Sequence, residues 1–439
     1  MNKKKLLVLG SGNSTKDLVI IAKSMGFYVI VSSNYDSGVS NDIADEKLSI
    51  SVTDIDSLHK YIVENKVAGV FTGPSEFHLL NVMKLCRKAN LPFYTTEDIW
   101  NICSDKRSFK NLCQENDVPC VPEYVISNQI DKEDFRKINY PVIVKPVDSC
   151  SSKGITVCKS ENELNNAIEL ALFYSEKKEI IIEPYIQNNG IVTNVRYLAV
   201  DGDIHLSLLG DTYVVDPINK TALITAVSVF PSMYTKEYMK TTNHKVVKMF
   251  KRLGIKNASF FMQSLPYNGT ILFHEMGMRV SGGLIYKITE PISGINDLKM
   301  MINYSMGEKM YSKEEISQID PFLQNKIAID FCIPLKEGII NEINGIDSVL
   351  SNHNIVDYTQ YYDIGDQIKK EYIGTLLQHF CRIKFFSSNI NDALEIIDNI
   401  QNTISITSIT NDDMIYMKFD VSRIKKFEEQ YERNSQIAN

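Results

Sequence analysis

The stretch "SFFMQSLPYNGTILFHEMGMRVSGG", residues 259–283, contains two apolar runs joined by a turn dipeptide and followed by an arginine and glycines. Asn268-Gly269 is typical of a two-residue hairpin turn, because both residues tolerate a positive φ. In such a hairpin Gln263 and Glu275 lie on opposite arms, at positions that can share one face. We therefore predict a β-hairpin that presents a side-chain amide beside a carboxylate.

The polar groups in and after this hairpin suit phosphate chemistry. An amide and a carboxylate oxygen can hold Mg²⁺, with Mn²⁺ as an alternative, while phosphate oxygens and water complete the metal shell. Arg279 supplies a charge that stabilises a phosphoryl or acyl-phosphate transition state. Ser281-Gly282-Gly283 can bring backbone N–H groups close to an oxyanion. The competing interpretation is a structural ion pair between Glu275 and Arg279 that caps a tight turn.

A second segment, "PVIVKPVDSCSSKGI" at residues 141–155, places polar residues after an apolar strand. Lys145 lies at the end of that strand, where an ammonium group needs an anion, and residues 148–154 can present backbone N–H groups. Together these features favour polyphosphate binding. Taken singly, each is better explained by a lysine that extends to solvent or by an ordinary hairpin loop.

Two further segments carry weaker signals. In "EIIIEPYI", residues 179–186, Pro184 has no N–H, so the neighbouring amides could bind the edge of an adenine ring after Glu183. Alone, this segment is only a buried strand. In "SDKRSFK", residues 104–110, Lys106 opens a helix, and a solvated helix face is the competing interpretation.

The order of elements predicts α/β and α+β architecture. Strands and helices alternate between residues 6 and 95, which indicates a doubly wound parallel sheet. Its first turn, Gly10-Ser11-Gly12, opens like a dinucleotide-binding fingerprint, but Thr15 stands where the third glycine is expected. Later strand-like runs are "LPFYT", "KIAIDFCIPL", "HFCRIKFFSS" and "MIYMKFDVS", and "NDALEIIDNIQNT" is helix-like. We expect domains at residues 1–98, 99–310 and 311–439, the last a small accessory α+β domain.

Composition excludes several classes of function. The 439-residue chain has a net charge of −7, which provides no basic field for nucleic acid. The sequence contains no apolar run of about 18 residues, the length that would predict a membrane span. We expect a cytoplasmic protein. The eight cysteines are dispersed without C-x-x-C pairs, which indicates reduced thiols rather than a metal site.

In their order and spacing, "SDKRSFK", "PVIVKPVDSCSSKGI", "IIIEPYI" and "FHEMGMRVSGG" resemble the ATP-grasp superfamily of carboxylate–amine ligases. The resemblance covers roughly residues 5–310 and is nearest to carbamoyl-phosphate-synthase-like members, several of which serve cell-surface polysaccharide or peptide pathways. It implies a pre-ATP-grasp domain, then an ATP-grasp domain of two α+β subdomains with the small ATP-binding one at about 115–185, then a small C-terminal domain.

The resemblance also implies roles for individual residues. ATP and Mg²⁺ are the expected cofactors, and small-molecule carboxylates and amines are the expected substrates. Arg279, with Ser281 and Gly282, is expected at the acyl-phosphate, and Gln263 and Glu275 at the metal. The nucleotide contacts are expected from Lys106, Lys145, Ser149, Ser151, Ser152, Lys153, Gly154, Glu183, Tyr185 and Ile186.

Three positions depart from the superfamily pattern. Many members have asparagine at the position of Gly277. With glycine there, we expect a second metal ion to be bound more weakly or by phosphate alone. Many have glutamate at the position of Gly190 for the ribose hydroxyls, and Asn188, Asn189 or Asn194 could substitute. Cys150 lies in the loop where glycine is common, which can stiffen loop closure.

The leading hypothesis is an ATP-dependent ligase that forms an amide through an acyl-phosphate, in a monomer or a homodimer. An ATP-binding protein without catalytic activity is the alternative, and a Rossmann oxidoreductase is the least favoured. Arg196 and Lys287 are candidate contacts for a substrate carboxylate, although each could equally be a surface charge.

Overall fold

The computed structural model describes residues 3–34, 38–124, 137–149, 153–215 and 224–437, with side chains described as far as residue 429. Its N-terminal part is the predicted parallel sheet, in the order β3-β2-β1-β4. The apolar runs of its inner strands are buried because helices cover the sheet. The strands are β1 (Lys5–Leu9), β2 (Tyr28–Ser32), β3 (Glu46–Leu48) and β4 (Val67–Phe71); the helices are α1 (Asn13–Ser24), α2 (Val39–Ile43), α3 (Ile55–Asn65), α4 (Glu76–Ala89) and α5 (Glu97–Ser104).

The glycine turn after β1 is closed by the protein's own side chains. A Cβ built on Gly10, whose φ is +100°, would lie 2.6 Å from the His78 ring. The buried Thr15 hydroxyl lies 3.0 Å from the Gly10 carbonyl and 2.9 Å from the Gly12 carbonyl. The His78 ring and the Thr15 hydroxyl therefore fill the space beside Gly10. The run "LPFYT", residues 91–95, does not form the strand that its composition suggests.

A small antiparallel sheet, in the order β6-β5-β7, follows the N-terminal part. Its core joins Val142, Val144 and Ile182 to apolar side chains of α7. This arrangement confirms the strands predicted from the two apolar runs. The elements are α6 (Lys106–Gln114), β5 (Val142–Pro146), β6 (Thr156–Cys158), α7 (Glu161–Tyr174) and β7 (Ile180–Pro184).

The largest element is an eight-stranded antiparallel sheet in the order β12-β11-β8-β9-β10-β13-β17-β15. The sequence-predicted hairpin is its β11–β12 end. Its strands are β8 (Ile191–Val200), β9 (Asp203–Val214), β10 (Thr225–Phe230), β11 (Ala258–Tyr267), β12 (Thr270–Gly277), β13 (Ile327–Pro334), β15 (Ile355–Gln360) and β17 (His379–Ser387); the helices between them are α8 (Thr235–Thr241), α9 (Asn243–Leu253), α10 (Tyr286–Ser293), α11 (Asp297–Ser305), α12 (Lys313–Ile316) and α13 (Ile346–Leu350).

The segment 311–439 therefore contributes three strands to the central sheet. It also forms a small sheet of its own, in the order β16-β14-β18. The run "MIYMKFDVS" does not form the strand that its composition suggests. Within it, Ile415 makes an isolated bridge with Leu335. The division into three domains stays a prediction. Its remaining elements are β14 (Gly338–Asn344), β16 (Gln367–Ile368), α14 (Ile390–Thr403), β18 (Ser405–Ser408) and α15 (Ser422–Ile437). Within the described ranges no helix is long and apolar enough to span a bilayer.

Candidate functional site

Two buried lysines pair with one glutamate beside the small sheet, and a third lysine lies on the same helix as one of them. Lys106 and Lys110 lie one turn apart on α6 and share a face, and both are buried. The Glu183 carboxylate accepts a hydrogen bond from Lys110 Nζ at 2.6 Å and pairs with Lys145 Nζ at 2.7 Å. Burial opposes ionisation of Glu183, but the charges of Lys145 and Lys110 hold its pKa below the usual range. The solvated helix face considered for Lys106 is therefore wrong.

The expected adenine hinge is only partly available. The Glu183 carboxylate pairs with Lys110 and Lys145, and its predicted contact with the nucleotide stays a prediction. The Tyr185 N–H donates to the Pro141 carbonyl at 3.0 Å and is equally occupied. Among the described residues the N–H of Ile186 has no backbone partner. Of the two predicted hinge amides, that of Ile186 is the one without a described backbone partner, and its contact with a base stays a prediction.

The predicted phosphate loop is tied to α6. Lys106 Nζ donates to the Ser149 carbonyl at 2.6 Å, and the Ser149 hydroxyl donates to the Lys153 carbonyl at 3.2 Å. Gly154 has a φ of +74°, and a Cβ there would approach the Tyr174 side chain to 2.9 Å. Lys106 therefore positions the start of the loop, and a glycine is required at its end. Cys150, Ser151 and Ser152 lie outside the described residues.

The hairpin that carries the expected metal donors is confirmed. Gln263 and Glu275 are directly opposed in the ladder, and Asn268 and Gly269 have φ values of +46° and +78°. The ladder shifts register beside Gln263, so His274 is an extra residue on the β12 strand. Burial lowers the pKa of His274 to about 4, which keeps the imidazole neutral.

Glu275 lies close to Lys106. Its Oε2 lies 3.8 Å from Lys106 Nζ, and its side chain is 36% exposed. Burial opposes ionisation, but the nearby charge of Lys106 holds its pKa below the usual range. In the described part of the chain no group of three or more His, Cys, Asp or Glu side chains could hold a metal. A metal here would thus rely on Glu275, the Gln263 amide and non-protein ligands.

Arg279 joins the hairpin to the N-terminal sheet. Its guanidinium lies 3.3 Å from Glu76 Oε1, at the start of α4, and 5.0 Å from the centre of the Phe261 ring. Its ion-pair partner is therefore Glu76, and the Glu275–Arg279 pair considered from the sequence is wrong. A Cβ on Gly282 would lie 3.5 Å from Pro74, so the turn that follows packs on the same edge of the N-terminal sheet.

The glycines that depart from the superfamily pattern have structural reasons. A Cβ on Gly277 would lie 2.5 Å from the Phe261 ring, so that ring occupies the space of an asparagine side chain. Gly190 has a φ of +70° in a turn, where its N–H donates to Asn188 Oδ1 at 3.2 Å. Asn194 donates to Thr212 Oγ1 at 3.1 Å. Asn188 and Asn194 therefore already have partners within the protein.

Arg196, one of the two proposed substrate contacts, has donors that lack a partner among the described residues. Lys287 pairs with Asp17 at 3.0 Å and Asp357 at 2.8 Å, so its charge is balanced within the protein, and its role as a carboxylate contact stays a prediction. Arg382 of β17 was not predicted, yet its Nη1 lies 3.3 Å from the position of a Cβ on Gly283. No local motif marks Arg382, because it reaches the turn only through strand pairing across the sheet.

Comparison with known proteins identifies the fold. Residues 112–278 match the family model of the D-ala D-ala ligase C-terminus. The predicted resemblance to the ATP-grasp superfamily is confirmed for this segment of the chain. A formate-dependent phosphoribosylglycinamide formyltransferase of Prochlorococcus marinus is 29% identical over 187 residues, 42% of this chain and 47% of that protein. The alignment thus spans about half the length of that curated relative.

Solved ATP-grasp structures share the whole architecture. The biotin carboxylase domain of 2-oxoglutarate carboxylase from Hydrogenobacter thermophilus superposes with a TM-score of 0.75 and 20% identity, covering 94% of this chain and 91% of that one. An L-amino acid ligase from Bacillus licheniformis superposes with a TM-score of 0.73 and 18% identity, covering 93% and 99%. The predicted mixed α/β fold is confirmed, and these coverages include the C-terminal segment.

Proposed function

We propose that this ATP-grasp chain is an ATP-dependent ligase that joins a small-molecule carboxylate to an amine and releases ADP and phosphate. The observation that carries the proposal is the approach of buried Lys106 to Glu275, with Arg279 on the segment that follows. The charges of Lys106, Glu275 and Arg279 beside the predicted phosphate loop suit phosphoryl transfer, because that reaction depends on positioning and electrostatic stabilisation. The structure of the Hydrogenobacter thermophilus relative was obtained with MgADP and bicarbonate.

The donor set fits a magnesium ion. Glu275 and Gln263 would hold it from adjacent strands, and bound Mg²⁺ would neutralise phosphate charge. Lys106 and Lys145 would bind the phosphates, and Ile186 the base. A carboxylate oxygen then attacks the terminal phosphorus and ADP leaves. The amine attacks the resulting acyl-phosphate carbon, phosphate leaves, and the nitrogen loses a proton, while Arg279 stabilises the developing charge.

Calorimetry tests the nucleotide site first. Mg·ATP should bind the wild type, and Glu275→Ala should weaken that binding at least about tenfold, because a charged metal donor is lost. Glu290→Ala is a matched control, since Glu290 is also 36% exposed and its described partners are Lys299 and Asn296 rather than residues of the site. Equal affinity in all three proteins would contradict the assignment of Glu275.

Turnover tests the reaction. ADP release should require one carboxylate and one amine together, and a screen of such pairs should find at least one productive combination. Cell-surface polysaccharide or peptide synthesis remains the predicted setting, and the cytoplasmic location and homodimer remain predictions too.

An ATP-binding protein without catalytic activity is the second candidate. The Phe261 ring over Gly277 favours it, because the ring leaves no room for a third side-chain oxygen beside Glu275. Tight Mg·ATP binding with no ADP release from any carboxylate and amine pair would support this candidate over the ligase.

A further inference from the structure

Arg196 of β8 is a half-buried cation with two hydrogen-bond donors that lack a partner among the described residues. Its Nε and Nη1 are buried, and neither has a partner among the described residues. A buried donor without a partner costs free energy, and a charged one costs more. Burial lowers the pKa of Arg196 only to about 10, so the group stays cationic at neutral pH. Some group outside the described residues is therefore expected to bind it.

The acids near Arg196 pair with other side chains among the described residues. Asp330 pairs with Arg382 at 2.6 Å and with Lys384 at 3.5 Å. Asp297 accepts a hydrogen bond from the Ser259 hydroxyl at 2.8 Å, and burial raises its pKa, which disfavours its charged form. The guanidinium carbon of Arg196 also lies 5.4 Å from the centre of the Phe230 ring. A cation–π contact does not replace hydrogen bonds to two donors.

Arg196 also faces the proposed reaction centre. One cavity is lined by Arg196, Arg279, Ser281, Ser259 and Asp297. Arg196 lies directly opposite Phe261 in the ladder, and the Arg279 guanidinium lies 5.0 Å from the centre of the Phe261 ring. The cavity thus has two arginines, of which Arg279 has a carboxylate partner and Arg196 has none in the described chain.

We propose that Arg196 binds an acidic group of the substrate, a carboxylate or a phosphate, other than the carboxylate that reacts. The inference rests on the proposed ligase function, in which Arg279 serves the reacting group. It narrows the substrate class to small molecules with two acidic groups. Binding would supply the hydrogen-bond acceptors that the described residues do not provide.

Thermal unfolding without ligand is the first test. Arg196→Met keeps the side-chain volume and removes an uncompensated buried charge, so its Tm should equal or exceed that of the wild type. Arg382→Met is the matched control, because it leaves Asp330 without its 2.6 Å partner and should lower the Tm. A fall in Tm for Arg196→Met as large as that for Arg382→Met would show a structural role and overturn the proposal.

Titration with matched acids is the second test. The probes are succinate with its monomethyl ester, and phosphoglycolate with glycolate, each in the presence of Mg·ADP. In one of the two pairs, the compound with two acidic groups should bind the wild type at least about tenfold more tightly than the compound with one. Arg196→Met should abolish that preference. The pair that responds identifies the acid as carboxylate or phosphate.

Two outcomes overturn the proposal: no preference in either pair for the wild type, or a preference that survives in Arg196→Met. Repeating the titrations without nucleotide separates this inference from the proposed function. Loss of Mg·ADP binding with a retained, Arg196-dependent preference for a diacid would reject the ligase and keep the anion site.

Discussion

Glu183 is the carboxylate that compensates two buried ammonium groups. Glu183→Gln should lower the free energy of unfolding by about 3–5 kcal/mol, because Lys145 and Lys110 would lose their charged partner. Glu179→Gln is the control, since Glu179 is 52% exposed and its pair with Arg107 should contribute less than about 1 kcal/mol. Urea unfolding of both variants measures the difference, and similar losses would contradict the buried-pair assignment.

The same residue makes a pH-dependent contribution. The pKa of Glu183 is lowered from its ordinary value of 4.5, so its stabilisation is present above that value and is lost as pH falls through the folded pKa. The stability gap between wild type and Glu183→Gln should therefore be constant near pH 7. It should shrink in urea unfolding measured progressively below pH 4.5.

Arg279 is expected to act in the transition state rather than in nucleotide binding. Arg279→Lys keeps a charge near Glu76 but loses the planar guanidinium that stacks on Phe261. We expect kcat to fall about a hundredfold, or ~3 kcal/mol, with little change in ATP affinity. Arg252→Lys, at an exposed contact with Asn116, should leave both values unchanged. Near-normal kcat in folded Arg279→Lys would remove Arg279 from the catalytic assignment.

Gly277 and Phe261 are expected to be coupled. Gly277→Asn alone should lower the Tm, because its Cβ would lie 2.5 Å from the Phe261 ring. Adding Phe261→Ala should recover part of that loss and, by admitting a third oxygen donor, should tighten Mg²⁺ binding measured by calorimetry. If the falls in Tm of the two single variants simply add in the double variant, the two positions do not compete for space.

At the scale of an element, helix α6 positions both Lys106 and Lys110. The Asp105 side chain caps this helix by accepting from the Ser108 N–H at 2.8 Å. Asp105→Ala should cost about 0.5–2 kcal/mol and weaken Mg·ATP binding. Asp54→Ala is the matched control, because Asp54 caps α3 in the same way, through the Ser57 N–H at 3.0 Å. Unchanged ATP affinity in Asp105→Ala would argue against α6 as the element that places these lysines.

Elements whose pattern is local were predictable from the sequence. The hairpin at Asn268-Gly269 follows from turn chemistry, and the opposition of Gln263 and Glu275 follows from the hairpin. The inward orientation of Glu183 was not predictable, because it depends on Lys110 from a separate helix. Arg382 was missed for the same reason, since pairing between distant strands leaves no local signal.

At the scale of the whole molecule, three parts of the chain meet at one residue. Lys287, which follows the glycine turn, pairs with Asp17 of the N-terminal part and with Asp357 of β15. Its side chain and both acids are less than 20% exposed. Burial opposes protonation of Lys287, but the partner Asp357 raises its pKa, which keeps the link charged. Lys287 therefore links residues of all three predicted domains.

This organisation predicts that residues 311–439 are not dispensable. A chain ending at residue 310 would lack β13, β15 and β17, so β10 would become an unpaired edge and the Asp330–Arg382 pair would be lost. We expect this chain to aggregate or unfold without cooperativity, and to bind no Mg·ATP in calorimetry. Co-expression with residues 311–439 should restore binding, because the added segment can pair with β10. A soluble, cooperatively unfolding chain of residues 1–310 with wild-type ATP affinity would instead show that the C-terminal segment is an independent accessory domain.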